Sequence, residues 1–162
     1  MNSTWHLSHA RGYIELGMLA EAAAELNQIA QAEKESSVFL EVSAALFQEQ
    51  RDWPRLQRTA RELSLRHPEN ASWWIMYAYG TRRAQSIEHA EAILKEAEKL
   101  HPQEPTIQFN LGCYACQRGE IETAQVHVNR AILLDPHFEY AAKNDPDLEP
   151  LRSRRETRTG DA

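Results

Sequence analysis

The chain contains few of the residues that mark disulfide-rich, all-β or membrane proteins. Among its 162 residues are two cysteines, six glycines and seven prolines. Two cysteines are too few for a disulfide scaffold, so we expect a reducing, cytoplasmic location. The scarcity of glycine and proline argues against an all-β fold with many turns. No run approaches the roughly 18 apolar residues of a membrane span, and no secretory signal is predicted at the N-terminus.

The charge and the length set further limits. The chain has 18 Lys and Arg against 24 Asp and Glu, a formal net charge of −6. An acidic chain of this kind is not expected to bind nucleic acid. Its length suffices for one domain with a buried core. We therefore predict a single domain over residues 1–151, followed by a tail.

Three prolines recur at a fixed interval. They are Pro68, Pro102 and Pro136, and the differences are 102 − 68 = 34 and 136 − 102 = 34. Cutting the chain in this phase gives four adjoining units without a gap: 3–36, 37–70, 71–104 and 105–138. Within each unit, apolar residues recur at helical spacing in two blocks separated by a short break, which predicts two amphipathic helices and a turn.

Superposition of the four units shows which positions are constrained. The eighth position is always small: Ala10, Ala44, Ala78 and Gly112. The seventeenth position is always large and apolar: Leu19, Trp53, Ile87 and Ile121. A small residue lets two helices approach closely, and the proline near the end of a unit stops its second helix.

This 34-residue pattern resembles the tetratricopeptide repeat (TPR) family over residues 3–138. The resemblance implies an all-α fold, a right-handed superhelical solenoid of antiparallel helix pairs. The fourth unit matches best. The first matches least, with Lys34 in place of the proline, and we interpret it as a degenerate capping repeat.

The residues after Pro136 predict a cap and a tail. We expect a short helix from about Phe138 to Lys143, with Leu148 and Leu151 folding back as a lid, so that the cap spans 138–151. Residues 152–162 contain four arginines and one apolar residue, the terminal Ala162. They predict a disordered basic tail.

In the TPR family, the first helix of each unit lines a concave groove, mainly through positions 2, 5, 9, 12 and 13. The resemblance therefore implies a non-catalytic interaction module (an adaptor or scaffold) that binds a protein or peptide segment. We expect an acidic group and an apolar anchor in that segment, because basic and aromatic residues meet at these positions. The predicted partner-binding residues are Tyr79, Arg82, Arg83, Phe109, Asn110, Cys113, Tyr140 and Lys143.

Other functions remain as alternatives. Some bacterial secretion chaperones are built from TPR units, although no long N-terminal helix precedes Ser3 here. The clamp by which some TPR proteins grip chaperone tails needs Lys and Asn where this chain has Leu7 and Arg11. No phosphate loop, nucleophile elbow or H-E-x-x-H motif is present, so we predict neither an enzyme nor a cofactor. We expect the protein to be a monomer or a weak homodimer.

Cys113 and Cys116 form a C-x-x-C pair in the fourth unit. Such a pair can indicate a redox dithiol or half of a zinc site, which makes a thiol redox or metal-binding protein a remote alternative. The repeat register, however, places Cys113 about two turns into a helix, beyond the N-terminal turn where the helix dipole lowers a thiol pKa. We therefore predict two inert thiols that line the groove, and no bound metal.

Overall fold

The computed structural model describes residues 2–159, with side chains described through Arg154. The described residues form α-helices and two short 3₁₀ turns and contain no strand, which confirms the all-α class. The helices are α1 (Ser3–Glu15), α2 (Leu19–Asn27), α3 (Ser37–Glu49), α4 (Trp53–Arg66), α5 (Ala71–Ala84), α6 (Ile87–Leu100), α7 (Pro105–Gln117), α8 (Ile121–Leu134), α9 (Phe138–Asn144) and α10 (Glu149–Thr159).

The helix starts follow the 34-residue register. First helices begin at residues 3, 37, 71 and 105, and second helices begin at 19, 53, 87 and 121. The four first helices share one local cause, a side-chain oxygen that accepts a hydrogen bond from a backbone N–H of the first turn. The capping residues are Asn2, Ser36, Asn70 and Glu104. The register indicated by the prolines is thus also the register of the helix caps.

The first unit departs from the others in its second helix. Helix α2 has 9 residues, whereas α4, α6 and α8 have 14 each. It ends at Asn27, and a 3₁₀ turn over Gln31–Glu33 follows before α3. This is the unit that has Lys34 where the repeat-ending proline is expected. The irregular connection agrees with the interpretation of this unit as degenerate.

The chain divides into two compact units, 1–90 and 91–162, and we call them the N-terminal and C-terminal units. In the N-terminal unit, one apolar cluster joins α1, α2 and α3, and a second joins α3, α4 and α5. The small residues predicted at the eighth position, Ala10, Ala44 and Ala78, are fully buried. Ala10 belongs to the first of these clusters and Ala44 to the second.

In the C-terminal unit, α7 packs against α8. A Cβ added at Gly112 would lie 2.7 Å from Cγ2 of Val128 and 3.3 Å from the carbonyl oxygen of Ala124. Because ordinary carbon contacts are about 3.5–4.0 Å, only glycine fits at this crossing. The small residue predicted at the eighth position here reflects close helix contact.

The cap agrees with the prediction, and the tail does not. Helix α9 begins at the expected Phe138, and Leu148 and Leu151 are buried as a lid. The predicted disorder from residue 152 is wrong as far as Thr159, because α10 continues through that segment. The helix is held at Arg152, whose guanidinium donates hydrogen bonds to the carbonyl oxygens of Ala142 and Asp145. Residues 160–162 lie outside the described part of the chain.

Candidate partner-binding surface

The first helices of the N-terminal unit present an accessible surface. We use the name N-terminal surface for positions 2, 5, 9, 12 and 13 of α1, α3 and α5. All fifteen of these residues are exposed or half-buried. The exposed ones are Thr4, Arg11, Glu15, Val38, Gln48, Glu49, Ser72, Tyr79 and Arg83. This surface is available to a partner.

An aromatic and cationic cluster lies on the α5 part of the N-terminal surface. The guanidinium carbon of Arg83 is 3.7 Å from the ring centroid of Tyr79 and 5.2 Å from that of Trp53. The two rings lie edge to face with centroids 5.7 Å apart. These cation–π contacts hold the guanidinium through its flat face and leave its N–H edge for hydrogen bonds.

Arg83 and Arg82 differ in what they offer. Arg83 is exposed, and it forms no ion pair with any residue that the structure describes. Arg82 is half-buried and already interacts within the protein. Of the two predicted arginines, Arg83 is therefore the one that presents a preorganised cation.

The acidic part of the N-terminal surface lies on α1 and α3. Arg11 and Glu41 pair across these helices, with 3.7 Å between the guanidinium nitrogen and the carboxylate oxygen. Glu15 and Glu49 are exposed nearby in the same positions of their repeats. The surface is thus acidic on α1 and α3 and basic on α5.

Three of the five equivalent positions of α7, positions 5, 9 and 12, are covered. Phe109 is 6% exposed and Cys113 is 4% exposed, so the prediction that they line an accessible groove is wrong in this structure. Phe109 packs against Phe138 of α9, with ring centroids 5.0 Å apart. The side-chain amide of Gln117 donates a hydrogen bond to the carbonyl oxygen of Asp147 at 2.7 Å. The cover is the chain's own C-terminal segment.

The three other predicted residues of the C-terminal unit differ in accessibility. Asn110 is half-buried. Tyr140 is 76% exposed on α9. The ammonium group of Lys143 lies 2.9 Å from the carboxylate of Glu139, one turn earlier in the same helix. Tyr140 and Lys143 are therefore both accessible, and Lys143 already forms an exposed ion pair with Glu139.

The two thiols are buried, and neither is in a disulfide. Burial raises the pKa of Cys116, which keeps that thiol protonated and unreactive. Cys113 lies beside Asp145 and Asp147, with the sulfur and the carboxylate oxygens within 4.8 Å of one another. Asp145 also caps the 3₁₀ turn by accepting a hydrogen bond from the backbone N–H of Asp147. The structure therefore groups Cys113 with carboxylates of the cap, an arrangement that the C-x-x-C spacing did not predict.

A recess on the N-terminal unit was also not predicted from the sequence. It has a volume of about 810 Å³ and lies between α1, the 3₁₀ turn and α3. Its walls include Leu7, Ile29 and Val38, together with Arg11 and Glu15 of the N-terminal surface. The recess adjoins the connection that follows the short α2. The missing repeat-ending proline was the sequence signal for this irregular connection.

The fold is similar to solved structures of TPR proteins. The chain is 15% identical to TTC0263, a thermophilic TPR protein of Thermus thermophilus, over 96% of this chain and 98% of that one, with a TM-score of 0.65. It is 19% identical to PilF of Pseudomonas aeruginosa over 95% and 69% of the two chains (TM-score 0.69). It is 16% identical to PilW, a type IV pilus biogenesis factor, over 96% and 80% (TM-score 0.66).

Comparisons by sequence add no closer relative. No protein-family model and no curated protein matches the chain. Among the described residues, no helix is both long and apolar enough to span a membrane. At the identities found, the likeness to solved structures concerns the fold.

Proposed function

Because the chain has the tetratricopeptide-repeat fold, we propose that it is a protein-interaction module, an adaptor or scaffold whose N-terminal surface binds a segment of a partner protein. Helical repeats of this kind act through extended surfaces, and the described residues offer such a surface on α1, α3 and α5. The proposal rests mainly on the cluster of Trp53, Tyr79 and Arg83. It combines exposure, rigid aromatic area and a preorganised cation.

The chemistry of this cluster defines the partner segment. The N–H edge of Arg83 suits a carboxylate, which accepts two parallel hydrogen bonds from a guanidinium. Tyr79 and Trp53 supply aromatic area beside it, and aromatic residues with arginine dominate the energetics of many interfaces. We therefore propose a partner segment with an acidic residue next to an apolar or aromatic side chain. We expect affinities on the order of micromolar, as for other short segments bound to such surfaces.

The α1 and α3 part of the surface adds a second requirement. Glu15 and Glu49 are exposed there, so a long partner segment would place basic or neutral residues over these helices. An acidic residue at that end would face like charges. The proposed ligand therefore has an acidic end on α5 and a basic or neutral end over α1 and α3.

The proposal is tested by comparing partner capture by two double variants of the full chain. Tyr79→Ala/Arg83→Ala removes the proposed contacts. Arg58→Ala/Arg61→Ala removes two exposed charges from α4, outside the N-terminal surface, and serves as the control. Proteins captured by the wild type and by the control should be lost with Tyr79→Ala/Arg83→Ala. Equal capture by all three proteins contradicts the assignment of this surface.

A titration sharpens the test. Labelled peptides with an acidic residue beside a leucine or aromatic residue should bind the wild type. Matched peptides with Asn or Gln in place of Asp or Glu should bind it at least about tenfold more weakly. Arg83→Lys keeps the charge but loses the stacked fork, and it should recover only part of the affinity. A preference for the amide peptides would contradict carboxylate recognition.

A further inference from the structure

A short segment of the C-terminal unit occupies the binding positions of the fourth repeat. We call residues 145–151 the strap. The strap contains the 3₁₀ turn Pro146–Leu148 and the start of α10, and both elements pack against α7. Leu148 is fully buried and Leu151 is 6% exposed. The strap lies on the helix whose positions 5, 9 and 12 (Phe109, Cys113 and Cys116) are buried, although the same positions are accessible in the other three repeats.

The strap has the chemistry that a ligand of such a surface needs. Its sequence, DPDLEPL, places two carboxylates before a leucine and ends in a second leucine three residues later. Asp145 and Asp147 lie against Cys113, while the leucines supply the apolar anchors. Gln117, at position 13 of the repeat, donates its hydrogen bond to the strap's backbone at Asp147. A side chain that binds the backbone of a segment is a common feature of peptide recognition.

The strap is also a short and local piece of structure. It consists of one 3₁₀ turn and the first turn of a helix, and Glu149 and Pro150 are exposed on its outer side. Outside α7, its 3₁₀ turn contacts α9, and Arg152 fastens it by binding the carbonyl oxygens of Ala142 and Asp145. Segments of only one or two turns open locally at a lower free energy than the longer helices beneath them.

We propose that the strap is an intramolecular ligand of the fourth repeat, and that a partner segment with the same pattern, carboxylates followed by two leucines three residues apart, displaces it. Displacement exposes Cys113 and Cys116, which then form a second interaction surface. This proposal is independent of the α5 cluster, because its residues all belong to the C-terminal unit.

The buried thiols report the opening directly. The full chain and two double variants are treated with a thiol-specific reagent, and the labelling rates of Cys113 and Cys116 are measured. Leu148→Ala/Leu151→Ala weakens the strap, and it should accelerate labelling at least about tenfold, since burial of two leucines is lost. The control is Leu100→Ala/Leu133→Ala, which truncates two exposed leucines of the same unit and should label like the wild type.

Peptide binding then tests whether the uncovered surface accepts a ligand. The probe is a labelled peptide with the sequence of residues 144–152. It should bind Leu148→Ala/Leu151→Ala and bind the control at least about tenfold more weakly, because the control keeps its own strap. At saturation the peptide should slow thiol labelling of Leu148→Ala/Leu151→Ala towards the wild-type rate, because it covers the thiols as the strap does. Accelerated labelling by the variant without any peptide binding would overturn the proposal.

If Leu148→Ala/Leu151→Ala does not fold, hydrogen exchange of the wild type tests whether the strap opens locally. The amides of Asp147, Leu148 and Leu151 should exchange at least about tenfold faster than the interior amides of α7. Equal rates in the two segments would show that the strap opens only with global unfolding, which would overturn the proposal. Tyr79→Ala/Arg83→Ala should leave both readouts unchanged, so this experiment can fail or succeed separately from the one on the N-terminal surface.

Discussion

Helices α5 and α7 occupy the same place in successive repeats but present different surfaces. At positions 9 and 13, α5 exposes Tyr79 and Arg83. At position 9, α7 buries Cys113 beneath the cap, whereas Gln117 at position 13 is exposed as in α5. The repeat fixes the direction in which a side chain points. Whether the side chain is exposed to solvent depends on whether another segment of the chain covers it.

The two faces of α7 extend the contrast. On the side away from the strap, Gln108 is 4% exposed, and its amide donates a hydrogen bond to Glu98 at 2.7 Å. Its carbonyl oxygen accepts one from the Nδ1 of His127 at 2.8 Å. Thus α7 is enclosed by α6, α8 and the cap, whereas α5 keeps an open side. We infer that α7 contributes chiefly to stability, and that α5 is better placed for recognition.

The largest effect that we expect distinguishes two helical glycines. Gly112→Ala should lower the free energy of unfolding by about 1–3 kcal/mol, because the added methyl group meets Val128 and Ala124 at the α7–α8 crossing. Gly12→Ala in α1 is the matched control. Nothing lies within 4 Å of an added Cβ there, so it should stabilise the protein by roughly 0.5–1 kcal/mol. Urea denaturation of both variants measures the difference, and a harmless Gly112→Ala would contradict the tight crossing.

The next effect concerns pH and the enclosed side of α7. Burial lowers the pKa of His127, so the folded state favours the neutral ring. The stability that this ring contributes is present above the unfolded pKa of about 6.5, and it is lost as the pH falls from there towards the lowered folded pKa, by at most about 1.4 kcal/mol per pH unit. His127→Gln should flatten this dependence.

The pH dependence is measured by urea denaturation at several values between neutral pH and about pH 5, a range that includes the unfolded histidine pKa. His89→Gln is the control, since His89 is exposed on α6. It should retain the wild-type slope. If His127→Gln and His89→Gln show the same slope, the burial of His127 is not the source of the acid sensitivity.

A smaller effect arises at the turns between paired helices. The fifteenth position adopts a positive φ in three repeats, at Gly17 (72°), Arg51 (55°) and Gly119 (80°). This conformation costs a non-glycine residue roughly 1 kcal/mol. Arg51→Gly should therefore raise the free energy of unfolding by up to about 1 kcal/mol, and Gly119→Ala should lower it by a similar amount. Thermal denaturation of both variants checks the opposite signs.

Much of the fold followed from the sequence, because the repeat provides independent copies of one pattern. The helix starts at 3, 37, 71 and 105, the cap helix at Phe138 and the lid formed by Leu148 and Leu151 were all predicted. The signal in each case was local: a capping residue, a proline or a helical spacing of apolar residues. Sequence periodicity is most informative for such features.

The predictions that failed concerned contacts between segments that are far apart in the sequence. The burial of Phe109 and Cys113 depends on residues more than 25 positions later in the chain, and position within a repeat does not encode that cover. The helix of Arg152–Arg154 was missed because its composition suggested disorder. Arg152 binds backbone carbonyl oxygens, and Arg154 pairs with Glu122 at 2.5 Å. The aromatic contact of Trp53 with Arg83 was likewise not evident, since Trp53 belongs to the preceding repeat.

The smallest effect that we expect concerns an ion pair on the exposed N-terminal surface. The side chains of Arg11 and Glu41 are 54% and 36% exposed, so water and salt screen the ion pair that joins α1 and α3. A double-mutant cycle with Arg11→Ala and Glu41→Ala should give a coupling of about 0.2–1 kcal/mol at low salt and less at about 1 M salt. A larger coupling that persists in salt would mean that the N-terminal surface is more enclosed than its exposure indicates, and it would weaken the contrast with α7. A small, salt-sensitive value would show that these side chains are free to exchange their mutual contact for one with a partner.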